Sequence, residues 1–291
     1  MRQPTQLSAI EYFAALTLGQ RMGQAKDLTF KHGLLLLCLL IGLSMAFLVA
    51  IGAIVAMLDL KIGLFGGIRM GKPALGKELS LGLACLLIPG LVALVWFAGI
   101  GLNALALRFI NRTPTTVWAA LLAPASGRFG GVLVSLMLWA AIGGLCAIPL
   151  SFILLIPLAG FWLYSLGLGF YQLLATIAGL YIADCVNRGR HFKITETVSK
   201  TFRLLFSNFG LWLSSILAFQ ALSLPSYILY GLSMYMLSDS QAVPALIFFS
   251  LGAAYALPLP VFNLFLMAIT YKQAKARLLI NQSRLSRRRR G

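Results

Sequence analysis

Three amides, one carboxylate and a basic C-terminus carry most of what this sequence offers to chemistry. Gln172, Gln220 and Asn263 sit within three separate long apolar stretches. In lipid such an amide either bonds to a neighbouring helix, worth about 0.6 kcal/mol on average, or lines a polar cavity. Pro258 and Pro260 lie just before Asn263. Each removes a backbone donor and kinks a helix, and kinked, discontinuous helices often line transport sites. These five residues form the candidate cavity or transport set. Asp184 has Arg188 one turn on, so a local ion pair is the expected use of that carboxylate. Lys272, Lys275, Arg277, Arg284, Arg287, Arg288, Arg289 and Arg290 gather near the C-terminus. A juxtamembrane cluster of this kind attracts anionic lipid at roughly 1 kcal/mol per charge near the surface, and these eight are the candidate lipid-binding residues.

Catalysis is not expected. The two histidines, His32 and His191, each stand beside Lys or Arg at the border of an apolar stretch. General acid–base or metal chemistry wants histidines or carboxylates clustered at defined spacing. The four cysteines lie singly, without a CxxC or Cys/His spacing, so neither a metal nor a cofactor is expected. The glycines around Ser126 lack the Gly-Lys-Ser/Thr ending of a phosphate loop. The Gly-rich, basic stretch 63–76 offers backbone amides to an acidic ligand, but reads more simply as a disordered connector.

The elements that position these residues follow from the apolar pattern. Phe129 to Ala183 runs 55 residues without an ionisable side chain. As one helix it would be roughly 80 Å long against a hydrocarbon core of about 30 Å, so it must fold back as two spans. The chain is 60% hydrophobic and 11% charged, with a mean hydropathy of +0.90; soluble domains carry about 25% charged residues. The apolar runs are continuous, which selects helices over a β-barrel. The fold class is therefore all-α and polytopic, with six transmembrane helices in three hairpins. The spans fall at 33–58, 79–107, 130–155, 159–184, 209–236 and 244–270. They leave an N-terminal segment 1–32, a membrane domain 33–270 and a basic tail 271–291. Pro89 in span two and Pro258 and Pro260 in span six predict kinks.

Loop charge sets the orientation. With both termini cytoplasmic, 20 Lys and Arg face inside and 4, all in loop 59–78, face outside, as the positive-inside rule requires. The same rule accounts for the net charge of +17, and nucleic acid is not expected as a partner. A cytoplasmic interfacial helix precedes each odd-numbered span. The first carries a capping box at Ser8 and Glu11, followed by Arg21 and Lys26. The second lies around 115–126. The third presents Ile194, Val198 and Phe202 at helical spacing, with a Glu196–Lys200 pair.

Tyr181 and Asp184, then Gly189, Glu196, Ser199 and Phe202, then Asn208, Phe209, Gly210 and Trp212 form one further pattern. With the six-span plan, it resembles a bacterial superfamily containing the YciC-like inner-membrane proteins and the membrane domain of glycerophosphoryl diester phosphodiesterase. Members carry a cytoplasmic E-A-x-x-x-S helix before a span; here Thr197 replaces the Ala. The resemblance is best over 170–270. It implies a bacterial cytoplasmic-membrane protein and carries no catalytic residue. The expected function is an accessory or scaffold role in the envelope. It would act through anionic phospholipid at the cytoplasmic face, another membrane protein or a second copy of this chain. The alternative is a small channel or transporter lined by Gln172, Gln220 and Asn263.

Overall fold

The computed structural model describes residues 6–57, 60–63, 67–70, 77–114, 116–125, 129–153, 159–191, 193–239 and 241–288. Among the described residues the regular structure is helical apart from one short antiparallel ladder. Its helices are α1 (Gln6–Ala15), α2 (Leu18–Met57), α3 (Lys77–Asn111), α4 (Val117–Leu122), α5 (Phe129–Ile153), α6 (Ala159–Asn187), α7 (Ile194–Phe206), α8 (Phe209–Ser238), α9 (Ala242–Ala256) and α10 (Leu259–Arg288). The strands β1 (Leu60–Gly63) and β2 (Gly67–Met70) pair Lys61 with Arg69, and β2 falls within the stretch 63–76 expected as a disordered connector. The rest of that Gly-rich stretch, 64–66 and 71–76, lies outside the described residues, as do 154–158 in the expected turn between spans three and four.

Among the described residues, five helical stretches are long and apolar enough to cross a membrane: Leu18–Ala46, Ala93–Asn111, Gly169–Asn187, Phe209–Ser238 and Ala242–Ser283. Gly130–Gly143 in α5 is a shorter apolar helix. This is a multi-pass helical membrane protein by length and composition. Its last apolar stretch is not one kinked rod. Pro258 and Pro260 each lack the amide that would continue the ladder, so α9 stops at Ala256 and α10 restarts at Leu259, with Phe262 N donating to Pro258 O at 3.0 Å.

The described core gathers at one end of the bundle. It is built from Ile100 to Leu107 of α3, Ile177 to Val186 of α6 and Phe265 to Ala274 of α10, sealed by Leu36, Leu205 and Trp212. The helix ends there are tied off locally. α2 opens with a reciprocal capping box: Gln20 N donates to Thr17 Oγ1 (3.3 Å) and Thr17 N to Gln20 Oε1 (2.8 Å). The box expected at Ser8 and Glu11 is not an N-cap, because α1 already begins at Gln6. α6 closes on Gly189 at φ 67°, with Arg190 N donating to Cys185 O, a Schellman ending that suits glycine. α3 closes in the same manner on Arg112 at φ 54°, with Thr113 N donating to Arg108 O.

α7 is amphipathic, as its sequence requires, but rolled about its axis. Thr197, Thr201, Leu204 and Leu205 are buried, while Ile194, Val198 and Phe202 are half-buried. The adjacent Leu204 and Leu205 plug the core, and Trp212 Nε1 donates to Leu204 O at 3.2 Å. Their pull draws the threonine line inward. Glu196 accepts from Tyr181 Oη at 3.2 Å, and the only ion pairs among the described residues are those of Asp184, so the expected Glu196–Lys200 pair does not form.

Candidate functional site

Polar and charged groups collect at the same end as the core. Asp184, on the last turns of α6, is buried and accepts three donors. Arg188 Nε lies at 2.9 Å from Oδ1, Tyr271 Oη at 3.2 Å from Oδ2, and Lys275 Nζ also bonds to Oδ2. The Arg188 pair is the one the i,i+4 spacing implied; Tyr271 and Lys275 come from α10 and tie it to α6. Two cavities open around this knot, of about 390 Å³ and about 230 Å³. They share Asp184, Arg188, Tyr271, Lys275 and Leu279 as a common wall. The larger adds Lys272 and Asn111 with Ile10, Phe13 and Leu107. The smaller adds Arg190, His191, Lys200 and Arg203 with Glu196. Six Lys or Arg side chains thus face two carboxylates, an arrangement that attracts anions.

The C-terminal cations divide into two groups. Lys272, Lys275 and Arg277 are not on a free tail, because α10 continues past 270 and its residues Tyr271, Gln273 and Ala274 are buried. Lys272 Nζ donates to Asn111 Oδ1 at 2.5 Å and sits 3.8 Å from the Phe13 ring centroid. Arg277 Nε donates to Ala14 O at 3.1 Å, beside Gln273 Nε2, which donates to Leu16 O at 2.6 Å and Ala14 O at 3.3 Å. These two side chains satisfy the carbonyls at the end of α1, which its own helix leaves without donors. The side chains of Arg284, Arg287 and Arg288, and the whole of Arg289 and Arg290, lie outside the described residues.

The five cavity candidates are dispersed. Gln172 lines a third cavity of about 520 Å³ between α3, α5 and α6, with Asn103 and Thr176. Gln220 is exposed on α8. Asn263 is half-buried, and its Oδ1 has no hydrogen-bond partner among the described residues. Pro258 edges an apolar groove of about 760 Å³ between α2, α8, α9 and α10, whereas Pro260 is exposed in the first turn of α10. No described cavity gathers the three amides.

Sequence reasoning missed Arg21. The sequence places it only as a cation following the first capping box in the cytoplasmic N-terminal segment; it is 3% exposed. Nη1 donates to Ser215 Oγ (2.5 Å), Leu211 O (3.2 Å) and Thr270 Oγ1 (3.3 Å), and Nη2 to Ser214 Oγ (3.0 Å), so one guanidinium clamps α2 to α8 and α10. Those hydroxyls donate in turn to carbonyls of their own helices, leaving lone pairs for the cation. The visible signal was a Ser-Ser pair and a Thr in otherwise apolar stretches. Also missed were Arg190, Lys200 and Arg203, which sequence alone could count but not converge. Comparison with protein-family models, curated proteins and solved structures returned no match to this chain.

Proposed function

We propose that this chain is a non-catalytic accessory or scaffold protein of a bacterial cytoplasmic membrane, acting through lipid and protein contacts at its cytoplasmic face. In this reading six spans form three hairpins, each preceded by a cytoplasmic interfacial helix (α1, α4 and α7), and both termini are cytoplasmic. Its partners are anionic phospholipid and another membrane protein or a second copy of the chain. The resemblance to the YciC-like superfamily belongs to the same reading. The observation that carries it is the convergence of Lys and Arg on one end of an apolar bundle, around a carboxylate already saturated by donors. A saturated carboxylate is poorly placed to act as a base, whereas an excess of cations at a helix-bundle end suits acidic headgroups.

Reporter fusions at the C-terminus and in loop 59–78 test the orientation. A periplasmic C-terminus would overturn it. Mild-detergent purification of the full chain and of a variant lacking 284–291 tests the contacts. Loss of co-purifying anionic lipid or partner with the tail supports the scaffold reading. Retention of everything speaks against a role for the polybasic cluster. A small channel or transporter is the second reading, favoured by the few polar side chains, Asn103, Gln172 and Thr176, on the otherwise apolar wall of the Gln172 cavity and by an Asn263 Oδ1 without a partner among the described residues. If Gln172→Leu and Asn263→Leu abolish solute flux in liposomes while the protein stays folded, that reading replaces the first.

A further inference from the structure

The cavity of about 390 Å³ at the basic end is asymmetric in chemistry. One side carries Lys272, Lys275 and Arg188 with Asp184; the other carries Ile10, Phe13 and Leu107. Lys275 and Arg188 are both engaged by Asp184, whose single charge they share. Lys272 has no carboxylate partner among the described residues. Its ammonium offers three N–H donors, and one is accounted for by Asn111 Oδ1. The Phe13 ring beneath it holds the cation in place without neutralising it. An anionic oxygen in the cavity would therefore meet a positioned ammonium that feels Asp184 only from beyond ion-pair distance, in a partly apolar surround where charge-assisted bonds are strong.

We propose that this cavity binds the phosphate of an anionic phospholipid, with Lys272 as its main ligand and Ile10, Phe13 and Leu107 against the glycerol and upper acyl region. The chemistry recognised is a phosphate oxygen, which a free phosphate shares. The apolar side selects the lipid, since a bare ion has no use for Ile10, Phe13 and Leu107. The site lies where α3 and α6 end, against the middle of α10, at the level a headgroup occupies if these apolar helices cross the bilayer. It rests on the membrane-scaffold reading only for the identity of the surrounding lipid.

The test uses the full chain in nanodiscs of phosphatidylglycerol diluted in phosphatidylcholine, with bound lipid counted by native mass spectrometry. Lys272→Met is expected to cut retained phosphatidylglycerol about fivefold, the equivalent of roughly one surface charge, and Lys272→Arg to restore it. The same fivefold loss is expected when Lys272→Met is placed in a variant with Arg287 to Arg290 changed to Ala, where the tail's own lipid contacts no longer contribute. Unchanged occupancy in Lys272→Met overturns the proposal. If that variant fails to fold, a photoactivatable phosphatidylglycerol on the wild-type protein decides. Label on α1 and around Lys272 to Leu279 supports the site, and label only elsewhere overturns it. Stabilisation of the detergent-solubilised protein by inorganic phosphate, with no photolabel, assigns the cavity to a soluble phosphate and overturns the lipid assignment. A periplasmic C-terminal fusion would sink the proposed orientation and leave this site standing. Loss of lipid with the tail variant alone would do the reverse.

Discussion

Arg21 allows a sharp test of whether this end of the bundle is dry. Ser215 Oγ accepts from the buried guanidinium at 2.5 Å and also contacts Thr270 Oγ1 at 2.9 Å and Leu211 O at 3.1 Å. Ser215→Ala in the wild-type background removes a hydrogen bond to a charged, buried group, worth about 1.5–3 kcal/mol. In an Arg21→Met background the same change removes only the hydroxyl's neutral contacts, worth about 0.6 kcal/mol between helices in membranes. The difference is a coupling energy of about 1–2.5 kcal/mol between Arg21 and Ser215. Reversible unfolding of the four proteins in mixed micelles, read by Trp fluorescence, measures it; Trp212 is buried one turn from Ser215. A coupling under about 0.3 kcal/mol would mean that water already solvates the guanidinium, and the clamp would be no stronger than a surface pair.

Asp184→Asn should lower stability by about 2–3 kcal/mol, because it leaves Lys275 and Arg188 facing a neutral amide; the figure is discounted from a fully buried pair since Arg188 is half-exposed. Denaturant titration checks it, and a neutral outcome would remove the α6–α10 knot as a stabilising element. Gly101→Ala should cost about 1–3 kcal/mol, because the new Cβ would meet the Leu121 carbonyl oxygen at 2.8 Å and must push α4 off α3. Gly99→Ala, two residues away and facing open space, should be neutral or slightly stabilising in the same melt. Gln273→Leu deletes the donor to Ala14 O and Leu16 O, so amide exchange over α1 should rise while that of α6 and α8 stays unchanged; equal protection of α1 would show that packing alone holds it.

The membrane-crossing character was legible because it rests on long averages, and 55 consecutive residues without a charge admit few structures. The local reading failed where two signals of equal quality competed. Ser8 with Glu11 and Thr17 with Gln20 both satisfy the capping-box pattern, and only the second begins a helix. The face of α7 was misjudged because hydrophobicity favours Val198 and Phe202, whereas the adjacent Leu204 and Leu205 decide the roll and take two threonines inward. The i,i+4 pair of Asp184 was readable within one helix. Its partners Tyr271 and Lys275 lie 87 and 91 residues away, and no periodicity reports on such a distance. Arg21 was the hardest case, because a buried cation without a carboxylate is rare and its partners are scattered hydroxyls.

The α8–α9 pair shows why chemistry has to be sought at the basic end. Leu217, Leu224, Ile228 and Met234 on α8, and Val243, Leu246 and Phe249 on α9, are each more than half exposed. The two helices meet through small residues, with a tilted Tyr230–Phe249 ring contact and a Tyr255 Oη bond to Leu222 O beside them. Ser233 Oγ donates to Ala245 O at 2.8 Å, and Gly252 lies so close to Leu229 and Tyr230 that a Cβ there would approach both to 3.2 Å. This inverts the pattern of a water-soluble pair, which would hide its large apolar side chains. It is the packing expected where lipid covers the outside and close backbone approach holds the inside. A surface of that kind can select neighbours by shape, but it presents no charge with which to recognise a ligand. Recognition by charge falls to the end where Arg21, Asp184, Lys272 and Lys275 are fixed by bonds from four different helices, and there the same polar contacts that hold the bundle together also set the position of every ammonium a ligand would meet.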